Sequence, residues 1–134
     1  MLSSVTVEWG DCDEAGIVFY PNYFYWFDCA FQRLLRARSL SQRELKRRFG
    51  AVTPIVEAGA TFRGPARYDD ELRVEARVTE WHDRRFRVSY TMRREDRIAV
   101  EGFELRAWAL VAPDGSIAGA PIDAAFKDLM RSEG

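Results

Sequence analysis

Pro21-Asn22-Tyr23-Phe24-Tyr25-Trp26-Phe27-Asp28-Cys29-Ala30-Phe31-Gln32-Arg33-Leu34-Leu35 reads as one amphipathic helix. Tyr23, Trp26, Phe27, Ala30, Phe31, Leu34 and Leu35 recur three and four apart, which gathers them on one face of a 3.6-residue helix. That stripe is wide and bulky, the form a helix takes when it is pressed against a sheet. Pro21 suits the first turn, where its missing N–H breaks no bond. Gln32, Arg33 and Arg36 fall on the opposite side, and Arg38 adds charge near the expected end.

The flanks read differently. Upstream, Val5, Val7 and Trp9 alternate with polar residues over 3–9, a half-exposed strand. Downstream, Ser41 and Glu44 have capping-box spacing, so a short helix should run to Arg48 and stop near Gly50. After Thr53-Pro54 the period becomes two. Val56, Ala58, Ala60 and Phe62 alternate, as do Leu72, Val74, Ala76 and Val78, and then Phe86, Val88, Tyr90 and Met92. Residues 97–111 read as one long strand whose apolar face is Phe103, Leu105, Ala107 and Ala109. Ile98 and Val100 fall out of that phase, so Gly102 is the expected place for a bulge. Asp114-Gly115 is a turn, and Pro121 should open a short terminal helix carrying Ile122, Ala125, Phe126 and Leu129. The order is strand, long helix, short helix, four strands, short helix. The simplest packing is an α+β fold, one antiparallel sheet curled around the long helix, forming a single domain over residues 1–134. Such a sheet leaves edges to cover, and dimerisation through the sheet is the expected remedy.

Composition narrows the function classes. Of 134 residues, 47% are hydrophobic, enough for a sizeable core and against global disorder. Twenty basic residues against twenty-one acidic ones give a net charge of -1, without the basic excess of a general nucleic-acid binder. Two cysteines, Cys12 and Cys29, are too few for a disulfide scaffold and fit a reducing cytoplasm; both are expected as buried apolar residues. A single histidine, His82, and scattered cysteines give no metal-ligand spacing. No apolar run approaches a membrane span.

The chemistry concentrates in Gly10-Asp11-Cys12-Asp13-Glu14-Ala15-Gly16-Ile17-Val18-Phe19-Tyr20, which leads straight into the long helix. A helix start offers unpaired N–H groups and a partial positive charge, suited to an oxyanion or a polarised carbonyl. A carboxylate beside it can serve as nucleophile or general base. Read without further context, Asp11, Asp13 and Glu14 are equally well turn formers and partners of the helix dipole.

This segment resembles the signature of the 4-hydroxybenzoyl-CoA thioesterase family, through Gly-Asp-Cys-Asp-x-Ala-Gly-Ile-Val-x-Tyr-Pro-Asn-Tyr at residues 10–23. The resemblance continues at Thr53-Pro54-Ile55-Val56, Ala60-Thr61-Phe62, Tyr68-Asp69-Asp70 and Glu80-Trp81. It implies a hotdog fold, a curved antiparallel sheet wrapped around one helix, and hydrolysis of an acyl-CoA, with an aromatic acyl group. Short- or medium-chain acyl-CoA or acyl-carrier-protein thioesters, or a non-catalytic acyl-CoA-binding module, are the alternatives.

The resemblance also implies roles residue by residue. Asp13 matches the carboxylate that attacks, or activates water against, the thioester carbonyl. The backbone N–H of Tyr20 would polarise that carbonyl, and Gly16 would let the backbone approach closely. Phe19 and Tyr23 would line the acyl pocket. Asp28 matches the position that meets a ring hydroxyl, and a purely structural carboxylate is its equal alternative; Asp11 is expected as a turn or cap residue. His82, Arg84 and Arg85 align with a basic segment holding the CoA phosphates, for which arginine's bidentate donors are apt. Asp83 departs from that basic pattern, and Glu14 stands where the resembled proteins carry proline. The family further implies a homodimer or homotetramer with each active site at a subunit interface, and no metal or redox cofactor.

Overall fold

The computed structural model describes residues 1–131. Its long helix, α1, spans Pro21–Ala37 and buries the expected seven residues. Before it come strand β1 (Leu2–Thr6) and a 3-10 turn at Trp9–Asp11, and after it α2 (Gln42–Phe49). Ser41 caps α2 by accepting the Glu44 N–H, and Gly50 ends it in the left-handed region. The strands that follow are β2 (Ala51–Val52), β3 (Ile55–Phe62), β4 (Glu71–Trp81), β5 (Arg85–Arg94), β6 (Arg97–Ala107), β7 (Ala109–Val111) and β8 (Ile117–Gly119), and α3 (Ala124–Arg131) closes the described chain.

The main sheet is antiparallel with order β1-β4-β5-β6-β3. A smaller sheet, β2-β7-β8, covers one end. Helix α1 lies across the main sheet, with Phe27 stacked on Tyr90 at 4.7 Å and Phe31 tilted against Phe86 at 6.0 Å. Leu72, Val74, Ala76, Val88 and Met92 complete the layer beneath it.

Five expectations need correction. The strand at 3–9 ends at Thr6, because Trp9 enters the 3-10 turn; Val7 alone prolongs the pairing, donating to Asp70 O and accepting from Asp69 N–H. The long strand at 97–111 breaks at Trp108, whose N–H turns to Arg84 O. Its bulge is not at Gly102: Met92 pairs with Val100 and Arg93 with Ile98, so Ala99 is the extra residue. Gly102 instead makes room for the helix, since a Cβ there would run into the Phe27 ring and stand 3.0 Å from Gly59 O. The shift reverses the phase of β6. Glu104 and Arg106, not Phe103 and Leu105, face the core, while Phe103 lies under the Arg87 guanidinium at 3.9 Å on the other face. Lastly, the terminal helix starts after Asp123, which accepts the Ala125 N–H, rather than at Pro121.

Candidate active site

The segment ahead of α1 is a tight loop built almost wholly from backbone bonds. Asp11 and Glu8 close the 3-10 turn, the Glu8 N–H donating to Asp11 Oδ2 at 2.7 Å, so Asp11 is a turn residue. Asp13 donates its N–H to Ile17 O at 3.0 Å and accepts the Gly16 N–H on its carbonyl at 2.9 Å. Gly16 sits at φ +79°, a conformation that favours glycine, and so lets the chain reverse. The Asp13 carboxylate accepts the Ala15 N–H on Oδ1 at 2.9 Å and is otherwise exposed. The returning limb docks on the sheet end through Val18 N–H to Ala66 O, 2.9 Å.

One residue missed in the sequence locks this loop to the helix. Asn22 donates its side-chain amide to Asp11 O at 2.8 Å, and the Phe19 N–H donates to the same carbonyl at 2.9 Å. The chain then enters α1 at Tyr20, with Pro21 as the first helical residue. Among the described residues nothing accepts the Tyr20 N–H, and Pro21 has none to offer. The helix start therefore presents a free donor beside the Asp13 loop, as an oxyanion site requires.

Two cavities open here. An apolar one of about 420 Å³ is lined by Ile17, Val18, Tyr20, Tyr23, Phe62 and Pro65, among others. Phe62 meets the Tyr23 ring at 5.6 Å and the Tyr20 ring at 6.3 Å. Burial is the main cause that pushes the Tyr23 hydroxyl above its ordinary value. A smaller hollow of about 190 Å³ holds Asp13 and Gly16 between Trp9 and Tyr68, whose rings meet edge to face at 5.4 Å. Asp13, Gly16, Tyr20 and Tyr23 are thus gathered at one end of the sheet. Phe19 is half exposed, packs on Tyr20 at 5.6 Å, and lines neither cavity.

The remaining expected site residues lie elsewhere. Asp28 is two turns further along α1, roughly 12 Å from Tyr20 along the axis. Its Oδ1 accepts from Arg106 at 2.8 Å and from Gln32 at 3.1 Å. His82, Arg84 and Arg85 sit in the β4–β5 hairpin at the far end of β4, a strand roughly 33 Å long. Asp13 and these cations therefore do not meet within one chain. Arg84 donates to Gly119 O at 3.2 Å and lies 3.7 Å from Asp83, His82 is 3.3 Å from Glu80, and all three basic residues are exposed. Cys12 and Cys29 are free and half-buried rather than fully buried.

The model of the thioesterase-like superfamily matches residues 7–113. The chain belongs to that superfamily. Its fold is the hotdog, and its class is that of thioester hydrolases. The 4-hydroxybenzoyl-CoA thioesterase of Pseudomonas sp. strain CBS-3 is 34% identical over 121 residues, covering 82% of this chain and 86% of that protein. A solved structure of the Pseudomonas enzyme superposes with a TM-score of 0.88 at 30% identity, over 96% of this chain and 97% of the other. A gentisyl-coenzyme A thioesterase is similar as well, with TM-score 0.83, 29% identity, and coverage of 98% and 100%. No helix among the described residues is long and apolar enough to cross a membrane.

Proposed function

We propose that this thioesterase hydrolyses an acyl-CoA with an aromatic acyl group, releasing the free acid and CoA. The observation that carries the reading is that Tyr20, whose N–H is unpaired at the start of α1 just after the Asp13 loop, also lines an apolar cavity with Tyr23 and Phe62. The N–H polarises the thioester carbonyl, and the helix dipole favours the charge that develops on its oxygen. Asp13 then acts as nucleophile or as general base. As nucleophile, its oxygen bonds to the carbonyl carbon, the C–S bond breaks, CoA leaves as thiolate and water cleaves the resulting anhydride. As base, it takes a proton from the water that attacks the same carbon. Water is the second substrate in both, and neither route calls on a metal or redox cofactor. The aromatic preference is supported by the relatives named for hydroxybenzoyl- and gentisyl-CoA and by the aromatic lining of the cavity.

A homodimer completes the site. Strand β3 is a free edge of the main sheet, with Ile55, Val56 and Phe62 exposed on it. A two-fold axis through its middle would pair it antiparallel with the same strand of a second copy, setting Ile55 of one chain opposite Phe62 of the other. Ile55 pairs with Arg106, which holds Asp28, whereas Phe62 walls the acyl cavity. Asp28 of one copy would then face the cavity of the other, and the hairpin cations would approach the Asp13 end.

The test is a hydrolysis panel of benzoyl-, 4-hydroxybenzoyl-, phenylacetyl- and straight-chain acyl-CoAs. Higher kcat/KM on the ring-bearing thioesters is expected, and a straight-chain optimum would refute the aromatic reading. Within the same panel, Arg84→Ala with Arg85→Ala should weaken full CoA thioesters and spare truncated pantetheine thioesters, since those contacts are to phosphate. Equal losses on both would remove the hairpin from the CoA site.

A further inference from the structure

Beneath Asp28 lies a buried charge network that the chemistry at Asp13 does not use. The Arg106 side chain is only 4% exposed, and each of its nitrogens has an acceptor. Nε donates to Glu104 Oε1 at 3.0 Å, Nη1 to Thr53 O at 2.9 Å, and Nη2 to Asp28 Oδ1 at 2.8 Å. Glu104, also buried, accepts the Tyr90 hydroxyl at 2.5 Å. Aromatic rings from α1 brace both ends: Tyr90 stacks on Phe27, and the Arg106 guanidinium lies 4.1 Å over Phe31.

Stability alone is a poor reason for this arrangement. Buried ion pairs often contribute no more than apolar residues of the same volume, because desolvation offsets their attraction. The direction in which the network points is more telling. Asp28 is its one half-exposed member, with a side-chain exposure of 45%. Both of its donors, Arg106 and Gln32, fall on Oδ1, and Oδ2 has no donor among the described residues. The network thus grips one carboxylate oxygen and leaves the other presented.

We propose that Tyr90, Glu104 and Arg106 are positioning residues that fix Asp28 as the reader of a hydroxyl on the acyl ring. This rests on the aromatic acyl-CoA reading above. A carboxylate free to rotate would follow water and discriminate weakly. One clamped through Oδ1 offers Oδ2 in a single direction, where a ring hydroxyl donates a charge-assisted hydrogen bond. A ring lacking the hydroxyl desolvates that oxygen and gives nothing back, so it is penalised.

The experiment compares kcat/KM for 4-hydroxybenzoyl-CoA and benzoyl-CoA in the wild type, Tyr90→Phe, Glu104→Gln and Asp28→Ala. The wild type should favour the hydroxylated thioester. Tyr90→Phe and Glu104→Gln should lower kcat/KM on it roughly ten-fold more than on benzoyl-CoA. A merely structural role would lower both rates together and leave the ratio alone, which would overturn the proposal, even for a variant of reduced stability. Asp28→Ala separates the two levels of the argument. If it collapses the ratio while Tyr90→Phe and Glu104→Gln do not, only the positioning role falls. If it leaves the ratio unchanged, Asp28 does not read the ring, and the network has nothing to position. A wild type without preference between the two thioesters would have the same meaning.

Discussion

Asp13, just ahead of α1, and Asp28, in its middle, are carboxylates set along one helix, yet different kinds of contact hold them. Asp13 is fixed by its immediate neighbours: Ala15 on the side chain, Gly16 and Ile17 on the backbone. Asp28 is held by Arg106, which is 78 residues away, and Arg106 in turn by Thr53 and Glu104. A short stretch of sequence can specify the first arrangement by itself. The second exists only once β6 has paired with β3 and β5 and brought its inward face under the helix. The proposed site combines a local, exposed carboxylate with a non-local, buried support, and the two should respond differently to substitution.

The sharpest way to break that contrast is Asp13→Asn. Asparagine keeps an oxygen for the Ala15 N–H, so the loop should hold and Tm should stay close to wild type. Turnover should fall ~100-fold or more, the usual worth of general-base assistance. Near wild-type kcat on the best substrate would remove Asp13 from the chemistry, while a large fall in Tm would show that the loop depends on its charge.

Gly102→Ala probes the other side. A Cβ at that position meets the Phe27 ring, which is stacked on Tyr90, so the helix and the buried network must both shift. Overpacking of this kind costs about 1–3 kcal/mol, measurable by urea unfolding. Gly10→Ala, near the Asp13 loop, meets nothing within 4 Å and should stay within about 0.5 kcal/mol of wild type. Equal effects at the two glycines would mean that the helix is not seated as tightly as the structure has it.

The same contrast accounts for what could be read from the sequence. The helix, its buried face, the Ser41 cap on Glu44 N–H and the turn role of Asp11 depend on residues within a few positions of one another, and all four stand in the structure; the reciprocal half of the capping box does not, since the Glu44 carboxylate turns to Arg47. The hotdog architecture was legible because apolar periodicity and the residue 10–23 signature agree. The phase of β6 was not. Phe103 and Leu105 are the more apolar set, and apolarity alone puts them inward. What puts Glu104 and Arg106 inward instead is the extra residue at Ala99, together with a phenol, a second carboxylate and a backbone carbonyl that satisfy them. None of those partners lies near in sequence, so no local pattern announced the network. One hint did exist: a glycine two residues before Glu104, in phase with it, is what a strand needs where a helix presses close.

The smallest effect expected is a pH dependence, and Glu104 is where to look. Burial is the largest influence on it and pushes its carboxyl above the ordinary value of 4.5, with Arg106 and the Tyr90 hydroxyl pulling back less strongly. The Asp28 charge adds to the upward push, while the two groups bonded to Glu104, Tyr90 and Arg106, do not titrate with it. Tyr90 is itself pushed up, first by burial, and the Arg106 guanidinium stays charged because Glu104 and Asp28 outweigh the cost of burying it. The folded protein therefore holds the Glu104 proton to higher pH than the unfolded chain does. That contribution to stability is complete below pH 4.5 and is lost as pH rises through the folded value. Glu104→Gln removes the titration but keeps an oxygen for the Tyr90 hydroxyl. Wild type should therefore lose stability relative to Glu104→Gln as pH rises from 4.5, with a slope of at most about 1.4 kcal/mol per pH unit. Urea unfolding of both proteins at intervals from pH 4.5 to about 7.5 reads the slope directly. A difference that moved in favour of wild type over that range would mean that Arg106 outweighs burial. The network would then be an ordinary ion pair, and its contrast with the locally held Asp13 would narrow to one of distance along the chain.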